Sequence, residues 1–292
     1  MSDTGKSGKV TALTLLNQQL GLERFLNTVK SIKAPALPNT QSMTTAQKFD
    51  AYAKYVESHG SEDAKKSLKA GDQVIVSLRM LTDTRENRGE GAYDDRMVII
   101  WQTVAKPPVK HAKEFIANTE PSAQYEQRDV KFVESKRGGK PVKVVARITA
   151  PDGREVKFNK DEGVDVDANG RLDLGRLKAG VYKFYDPGGK FLEAAYLRPR
   201  NSQTAERDTD HDGRYTVKDS WQTPSGSALV HTGAFAMYLH KGGRTNTWSA
   251  GCQTLPPAQH TDFFKTLGDK KPKQTDYYYV LVEMEWEWAG KH

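Results

Sequence analysis

The chain has 292 residues, a length that fits one large domain or two small ones. It carries 44 Lys and Arg against 37 Asp and Glu, interspersed, with no Arg-rich helix and no stripe of basic and aromatic residues. We therefore expect no nucleic-acid partner. The longest apolar runs, such as residues 97–101, are far shorter than the ~18–20 residues of a membrane helix, so we expect no membrane insertion.

The first nine residues contain Lys, Ser and Gly but no apolar run of about 7–15 residues, so they do not resemble a secretory signal peptide. This predicts synthesis in the cytoplasm without a signal peptide. Action outside the cytoplasm would then need an export device that reads no such signal.

The first part of the chain has helical patterns. Leucines recur at helical spacing over residues 11–32, and Thr44 or Thr45 can cap a second helix that ends at Gly60. A third short helix is predicted over residues 61–70. Residues 1–69 are therefore predicted to form a helical N-terminal segment.

The pattern changes to alternation after residue 70. Strands are predicted at residues 74–78, 97–101, 142–148 and 277–288, the last with one face in water. Turn signals at residues 151–153 and 186–189 predict hairpins, the second joining residues 182–185 to residues 191–197. Only residues 258–267, ended by Gly268, indicate a late helix. The sequence predicts an α+β fold, mainly β, with residues 70–292 as a β-rich domain.

A single cysteine, Cys252, excludes an intramolecular disulfide and any site with several cysteine ligands. His240 ends an apolar run twelve residues earlier, and the small residues Ser249 and Gly251 precede the thiol. A neighbouring imidazole can take the thiol proton or pair with the thiolate, which is scarce at neutral pH because the thiol pKa is about 8.5. The N–H groups of residues 251–253 could serve an oxyanion.

Two alternatives stay open at this point. His231 lies 21 residues before Cys252 and competes with His240 for the role of base. Spacing alone favours a structural thiol over a nucleophile.

Two segments resemble the signature of the L,D-transpeptidase (YkuD-like) catalytic domain family. Leu239-His240-Lys241-Gly242 is similar to its first half, a strand ending in Ile-His-Gly, and Ser249-Ala250-Gly251-Cys252 to its second, Ser/Thr-His-Gly-Cys. The chain has Ala250 where the family usually has His, Thr254 where Arg is common, and a shorter loop, as in a divergent branch. The resemblance implies a β-rich sandwich, which agrees with the strand pattern of residues 70–292.

The resemblance also implies an activity. Cys252 would attack the carbonyl of a peptidoglycan stem peptide on the L-centre side of a terminal D-residue, and His240 would move the proton. Ser249 and Gly251 complete the catalytic motif. Water would give L,D-carboxypeptidase activity, an amine would give transpeptidation or D-amino-acid exchange, and no cofactor is required.

Four further residues are predicted to bind the substrate: Arg244, Trp248, Gly242 and Gly243. Arg244 can meet an anionic substrate or lie in a solvated loop, and Trp248 can stack on a sugar or peptide or pack against the protein.

The substrate lies outside the cytoplasm, which favours an antibacterial effector or a phage-type lysis enzyme acting in the periplasm or cell wall of a target bacterium. Secretion machinery and a cognate immunity protein are then expected partners.

An acidic segment matches a calcium loop, with Asp208, Asp210 and Asp212 at positions 1, 3 and 5 and Asp219 at position 12. Oxygen ligands on a tight turn suit Ca²⁺, and the alternative is an acidic turn with Asx capping. Residues 165–170 repeat the pattern, but Arg176 stands at position 12 there and cannot bind a metal. The functional alternatives are another thiol amidase or peptidase, and a non-catalytic calcium-binding module with a structural Cys252.

Overall fold

The computed structural model describes residues 32–33, 36–84, 86–122, 132–137, 140–145, 148–149, 155–156, 163–170, 172–216, 219, 222–225, 237–269, 274–284 and 287–288. His231 and nearly all of the predicted helix over residues 11–32 lie outside these ranges. The chain divides into two compact units, Leu37–Glu283 and a unit formed by Met1–Ala36 with Met284–His292.

In chain order the strands are β1 Ile32–Lys33, β2 Val74–Arg79, β3 Asp95–Gln102, β4 Lys110–Ala117, β5 Phe132–Arg137, β6 Lys140–Val145, β7 Ile148–Thr149, β8 Glu155–Val156, β9 Gly175–Leu177, β10 Gly180–Tyr185, β11 Arg198–Pro199, β12 Gln203–Arg207, β13 Gln222–Ser225, β14 Leu239–Lys241, β15 Gln253–Leu255, β16 Asp276–Glu283 and β17 Glu287–Trp288. The helices are α1 Thr45–His59, α2 Glu62–Lys69 and α3 Pro257–Gly268, with a 3₁₀ turn at Asn87–Gly89. This is the predicted mixed α+β fold, mainly β.

The described helices begin and end where local signals predict. Thr44 caps α1 in a capping box: its side chain accepts the backbone N–H of Gln47, and the Gln47 side chain accepts that of Thr44. The α1 helix ends at Gly60, and the Ser61 side chain caps α2. In the part of the chain that the structure describes, no helix combines the length and apolarity needed to cross a membrane.

A six-stranded sheet organises the larger unit in the order β11-β10-β16-β2-β3-β4. Strands β16 and β2 are parallel and the other neighbours antiparallel. Helices α1 and α2 contact β2 and β3 and bury Tyr52, Val56 and Leu68. Both helices therefore belong to the same unit as the sheet, whereas the predicted boundary falls between residues 69 and 70.

The main hydrophobic core lies against the sheet and includes Phe115 of β4 and Phe263 of α3, whose rings meet edge to face at 5.2 Å. On β16 it takes Tyr277, Tyr279 and Leu281, while Val280 between them is also fully buried. The prediction that this strand has one face in water is therefore wrong. Helix α1 contacts β16 on one side of the sheet and the main core covers the other, so both faces of the strand are buried.

The second predicted hairpin differs in its pairing. Strand β10 pairs with β11, Tyr185 opposite Arg198, rather than with residues 191–197. Phe191 and Ala194 instead bond each other across a tight turn, with Leu192 and Glu193 at φ 49° and 58°. At the first predicted hairpin, β7 and β8 pair across residues 150–154.

Buried ion pairs tie the strand ends together. The Arg176 guanidinium on β9 contacts Glu120 (2.9 Å), Glu206 (2.9 Å) and Glu283 (2.7 Å). Burial raises the pKa of Glu120 to about 7 despite the neighbouring guanidinium. The carboxylates that surround Arg176 leave its charge compensated inside the protein.

Candidate functional site

Two short parallel strands carry the histidine and the cysteine. Leu239 of β14 is level with Gln253 of β15. Beyond β4, Asn118 exchanges two backbone hydrogen bonds of 2.8 Å with Thr254, and before β11, Leu197 exchanges two of 2.9 and 3.1 Å with Leu239. The β14–β15 pair therefore joins the two edges of the six-stranded sheet.

Alternation along these strands separates a core face from a site face. Leu239, Gln253 and Leu255 are fully buried on the core face. Since successive side chains point to opposite faces, the residues next to them point the other way. The site face carries Tyr238, His240, Cys252 and Thr254.

The thiol of Cys252 is held by the neighbouring strand. The backbone N–H of Tyr238 donates to Cys252 Sγ at 3.3 Å, and the N–H of Gln253 donates to the Tyr238 carbonyl at 2.7 Å. A donor aimed at sulfur favours the thiolate over the thiol. Cys252 is half-buried, and the Tyr238 N–H contacts its sulfur from within the protein.

His240 is held in the form of a neutral base. Its Nδ1 lies 2.9 Å from the Lys241 carbonyl oxygen, which only accepts, so Nδ1 carries the proton and Nε2 keeps a lone pair. Burial lowers the pKa of His240 to about 4, and the hydrogen bond to Lys241 offsets part of that effect. The ring meets Phe191 edge to face at 5.0 Å.

The bend before Cys252 is built by Ser249. Its fully buried hydroxyl donates to the Cys252 carbonyl at 2.7 Å and accepts the Gly251 N–H at 3.1 Å. The N–H groups of Gly251 and Gln253 are thus both engaged within the protein. In this arrangement these two groups are therefore not free to stabilise an oxyanion, as was expected of residues 251–253.

Gly242 and Gly243, which the sequence predicts to bind the substrate, are both buried. A Cβ at Gly242 would lie 2.1 Å from the Tyr93 hydroxyl, and one at Gly243 would lie 2.6 Å from the Asn246 carbonyl oxygen. Their N–H groups donate to the carbonyls of Leu255 and Asn246. The pair shapes the loop that follows His240.

Arg244 and Trp248 are the exposed members of the predicted set. Trp248 is 53% exposed and has φ 53°, an unusual backbone for a bulky residue. The Asn246 side chain accepts its N–H at 2.6 Å. An exposed indole beside the bend that carries Cys252 is available for stacking.

Several aromatic residues lie at the site although no sequence pattern places them there. Tyr238 contacts Phe191 (5.3 Å between ring centroids) and Tyr196 (5.4 Å). Phe191 reaches the site through the tight turn at residues 191–194, which the sequence pattern assigned to a hairpin strand. His260 is buried, and its Nε2 donates to the Ala195 carbonyl at 2.8 Å.

The predicted calcium loop brings three of its four carboxylates together. Oxygens of Asp208, Asp210 and Asp212 lie within 4.8 Å of one another. Asp219 is outside that group, and its two oxygens accept hydrogen bonds from Thr209 and Thr216. Burial raises the pKa of Asp208 to about 7, and the neighbouring carboxylates add to the effect.

The second acidic loop has a similar arrangement. Asp165, Asp167 and Asp173 form a group of the same size, although Arg176 at position 12 is engaged with the buried glutamates. His211 links the two loops through Nε2, which lies 3.1 Å from an Asp173 oxygen.

A cavity of about 390 Å³ lies beside Tyr93, whose hydroxyl donates to the Gly243 carbonyl at 2.8 Å. Arg96 and Glu114 line it, and both are engaged within the protein, Glu114 by the Lys48 ammonium and the Tyr52 hydroxyl. Cys252 is not among its lining residues.

Fold and site together define an α+β protein with a histidine and a cysteine on one face of a parallel strand pair. Comparison with known proteins finds no matching family model, no matching curated protein and no matching solved structure.

Proposed function

We propose that the protein is a cysteine-dependent acyltransferase or hydrolase of peptidoglycan stem peptides, with a fold that is a variant of the L,D-transpeptidase sandwich. One observation carries the proposal. Cys252 Sγ accepts the Tyr238 N–H, while His240 on the same face keeps its Nε2 lone pair and donates through Nδ1. A thiol acylation site needs such an oriented sulfur and a neutral base.

The reaction begins when the thiol proton of Cys252 passes to His240 Nε2. Sγ attacks the peptide carbonyl on the L-centre side of the terminal D-residue, and a C–S bond forms. The C–N bond then breaks, and the imidazolium returns the proton to the leaving amine. Water or an amine resolves the thioester, giving L,D-carboxypeptidase activity or transfer, and neither route requires a cofactor.

The substrate sets the biological role. Stem peptides occur in the cell wall, so we propose action there or in the periplasm of a target bacterium, as an antibacterial effector or a phage-type lysis enzyme. An effector of this kind requires export machinery and an immunity protein in the cell that makes it.

The test is incubation of purified stem peptides with the wild type, Cys252→Ala and His240→Asn, read by mass spectrometry. Loss or exchange of a terminal D-residue with the wild type alone supports the proposal. Unchanged tetrapeptides and pentapeptides, with Cys252 unreactive toward alkylation until the protein unfolds, overturn it.

A second candidate is a calcium-binding module with a structural Cys252, favoured by the two acidic loops. Ca²⁺ affinity without turnover of peptides, together with an unreactive thiol, supports this candidate. Turnover of unrelated peptides instead favours another thiol amidase or peptidase. As part of either function, we propose Ca²⁺ as a structural ion bound by Asp208, Asp210 and Asp212, with Asp219 closing the loop.

A further inference from the structure

An arginine faces the candidate site from the strand on the other side of β14. Leu197 and Leu239 exchange backbone hydrogen bonds and are both fully buried. In this antiparallel bridge, Arg198 is opposite Tyr238. Since side chains alternate, Arg198 and Tyr238 project to the same face, away from the core.

Tyr238 lies between Arg198 and the thiol of Cys252. Its guanidinium carbon lies 5.6 Å from the centroid of the Tyr238 ring, and the Tyr238 backbone N–H donates to Cys252 Sγ. Neighbouring strands lie about 4.8 Å apart, so the backbones of Arg198 and Cys252 are separated by about 10 Å. An arginine side chain and one amino-acid residue of a substrate can together span that gap.

Within the described part of the chain, Arg198 has no carboxylate partner. Among the residues that the structure describes, no carboxylate forms an ion pair with it, whereas Arg176 contacts three glutamates and Arg200 contacts Asp276 at 2.8 Å. Arg198 is only partly exposed, and an aromatic ring lies under it. A guanidinium in this setting is suited to bind a planar anion such as a carboxylate.

We propose that Arg198 binds the terminal carboxylate of the D-residue that leaves in the acylation step. The inference rests on the proposed function and deepens it. When Sγ bonds to the carbonyl carbon and the C–N bond breaks, the leaving group is a D-amino acid whose amine takes the proton from His240. Its carboxylate stays on Arg198, which restricts the enzyme to free peptide ends.

The test compares two synthetic stem tetrapeptides, one ending in D-alanine with a free carboxylate and one with the same residue as the amide. The wild type, Arg198→Gln, Arg198→Lys and the matched control Arg200→Gln are each assayed for kcat/KM by chromatography of the released residue. Thermal melting verifies that each variant is folded.

We expect the wild type to prefer the acid by roughly 10- to 100-fold, the range of a charge-assisted hydrogen bond. Arg198→Gln should abolish the preference, Arg198→Lys should retain part of it, and Arg200→Gln should keep it. Equal rates for acid and amide with the wild type, or an equal loss on both substrates with Arg198→Gln, overturn the inference and leave the proposed function standing. No Cys252-dependent turnover of either peptide overturns both.

Discussion

The Ser249 hydroxyl closes a ring with Cys252: it donates to the Cys252 carbonyl at 2.7 Å and accepts the N–H of Gly251. We expect Ser249→Ala to lower the free energy of unfolding by about 1–3 kcal/mol, because the replacement leaves buried backbone groups without partners. The turnover rate should also fall, by more than the loss of folded protein explains, because the bend orients Sγ of Cys252.

The control for this variant is Ser67→Ala on α2, which removes a hydroxyl that donates to the Asp72 carboxylate. Urea unfolding and peptide turnover are measured for both. A Ser249→Ala variant with full stability and full turnover contradicts the role assigned to the hydroxyl.

A side chain at Gly251 should be strongly destabilising. Its φ is +118°, and a Cβ would lie 2.3 Å from the Gly175 carbonyl oxygen and 2.9 Å from Met237 Cε. Gly251→Ala should therefore lower the melting temperature strongly. Gly188→Ala is the matched control, with φ +73° and open space around the Cβ, and it should cost only about 1–2 kcal/mol. Similar losses in the two variants would contradict the steric argument.

The pH dependence of turnover should reflect a neutral His240. Burial lowers its pKa to about 4, so the base stays unprotonated and kcat/KM should fall on the acid side only near pH 4. His240→Asn keeps a donor for the Lys241 carbonyl but has no base, and should lose roughly 10²–10⁴-fold in rate. An acid limb centred near 6.5 would contradict this prediction.

The same histidine should make stability depend on pH. Its pKa in the folded protein is below the ordinary 6.5, so the unfolded chain takes up a proton that the folded protein excludes. The contribution of His240 is therefore fully present above about pH 6.5 and is lost as pH falls toward 4. Urea unfolding at both ends of this range should show a smaller loss for His240→Asn than for the wild type.

Calcium should raise the melting temperature if Asp208, Asp210 and Asp212 bind it, because a ligand that binds only the folded state stabilises it by mass action. Asp210→Asn should remove most of the shift. Asp186→Asn, at an exposed turn where the carboxylate accepts the Gly188 N–H, is the control and should leave the shift unchanged. Identical melting in Ca²⁺ and in chelator would contradict the site.

Local signals predicted the described helices well. The Thr44–Gln47 capping box, the end of α1 at Gly60 and the end of α3 at Gly268 depend on residues a few positions apart, so sequence alone carries them. The same holds for strands β2 and β3, whose apolar residues are contiguous.

The strands of the site could not be predicted in the same way. Each of β14 and β15 has three residues, and each is completed by a partner from elsewhere in the chain, Leu197 and Asn118. Motif spacing predicts His240 and Cys252 as chemical neighbours, whereas the contacts of Tyr238 with Cys252 and of Arg198 with Tyr238 depend on the cross-strand register. The prediction that β16 has one face in water was wrong because helix α1 and the main core cover its two faces, and both covering layers come from distant parts of the chain.

The bridge formed by β14 and β15 can form only after distant segments of the chain have met. Asn118, Leu197, Leu239 and Thr254 come from segments far apart in sequence, and closing such long loops costs chain entropy before any contact is gained. We therefore expect the thiol site to be among the last features to form during refolding. A refolding chain should first bury the core tyrosines of β16, Tyr277 and Tyr279. It should acquire an oriented Cys252 only when both edges of the sheet have been joined.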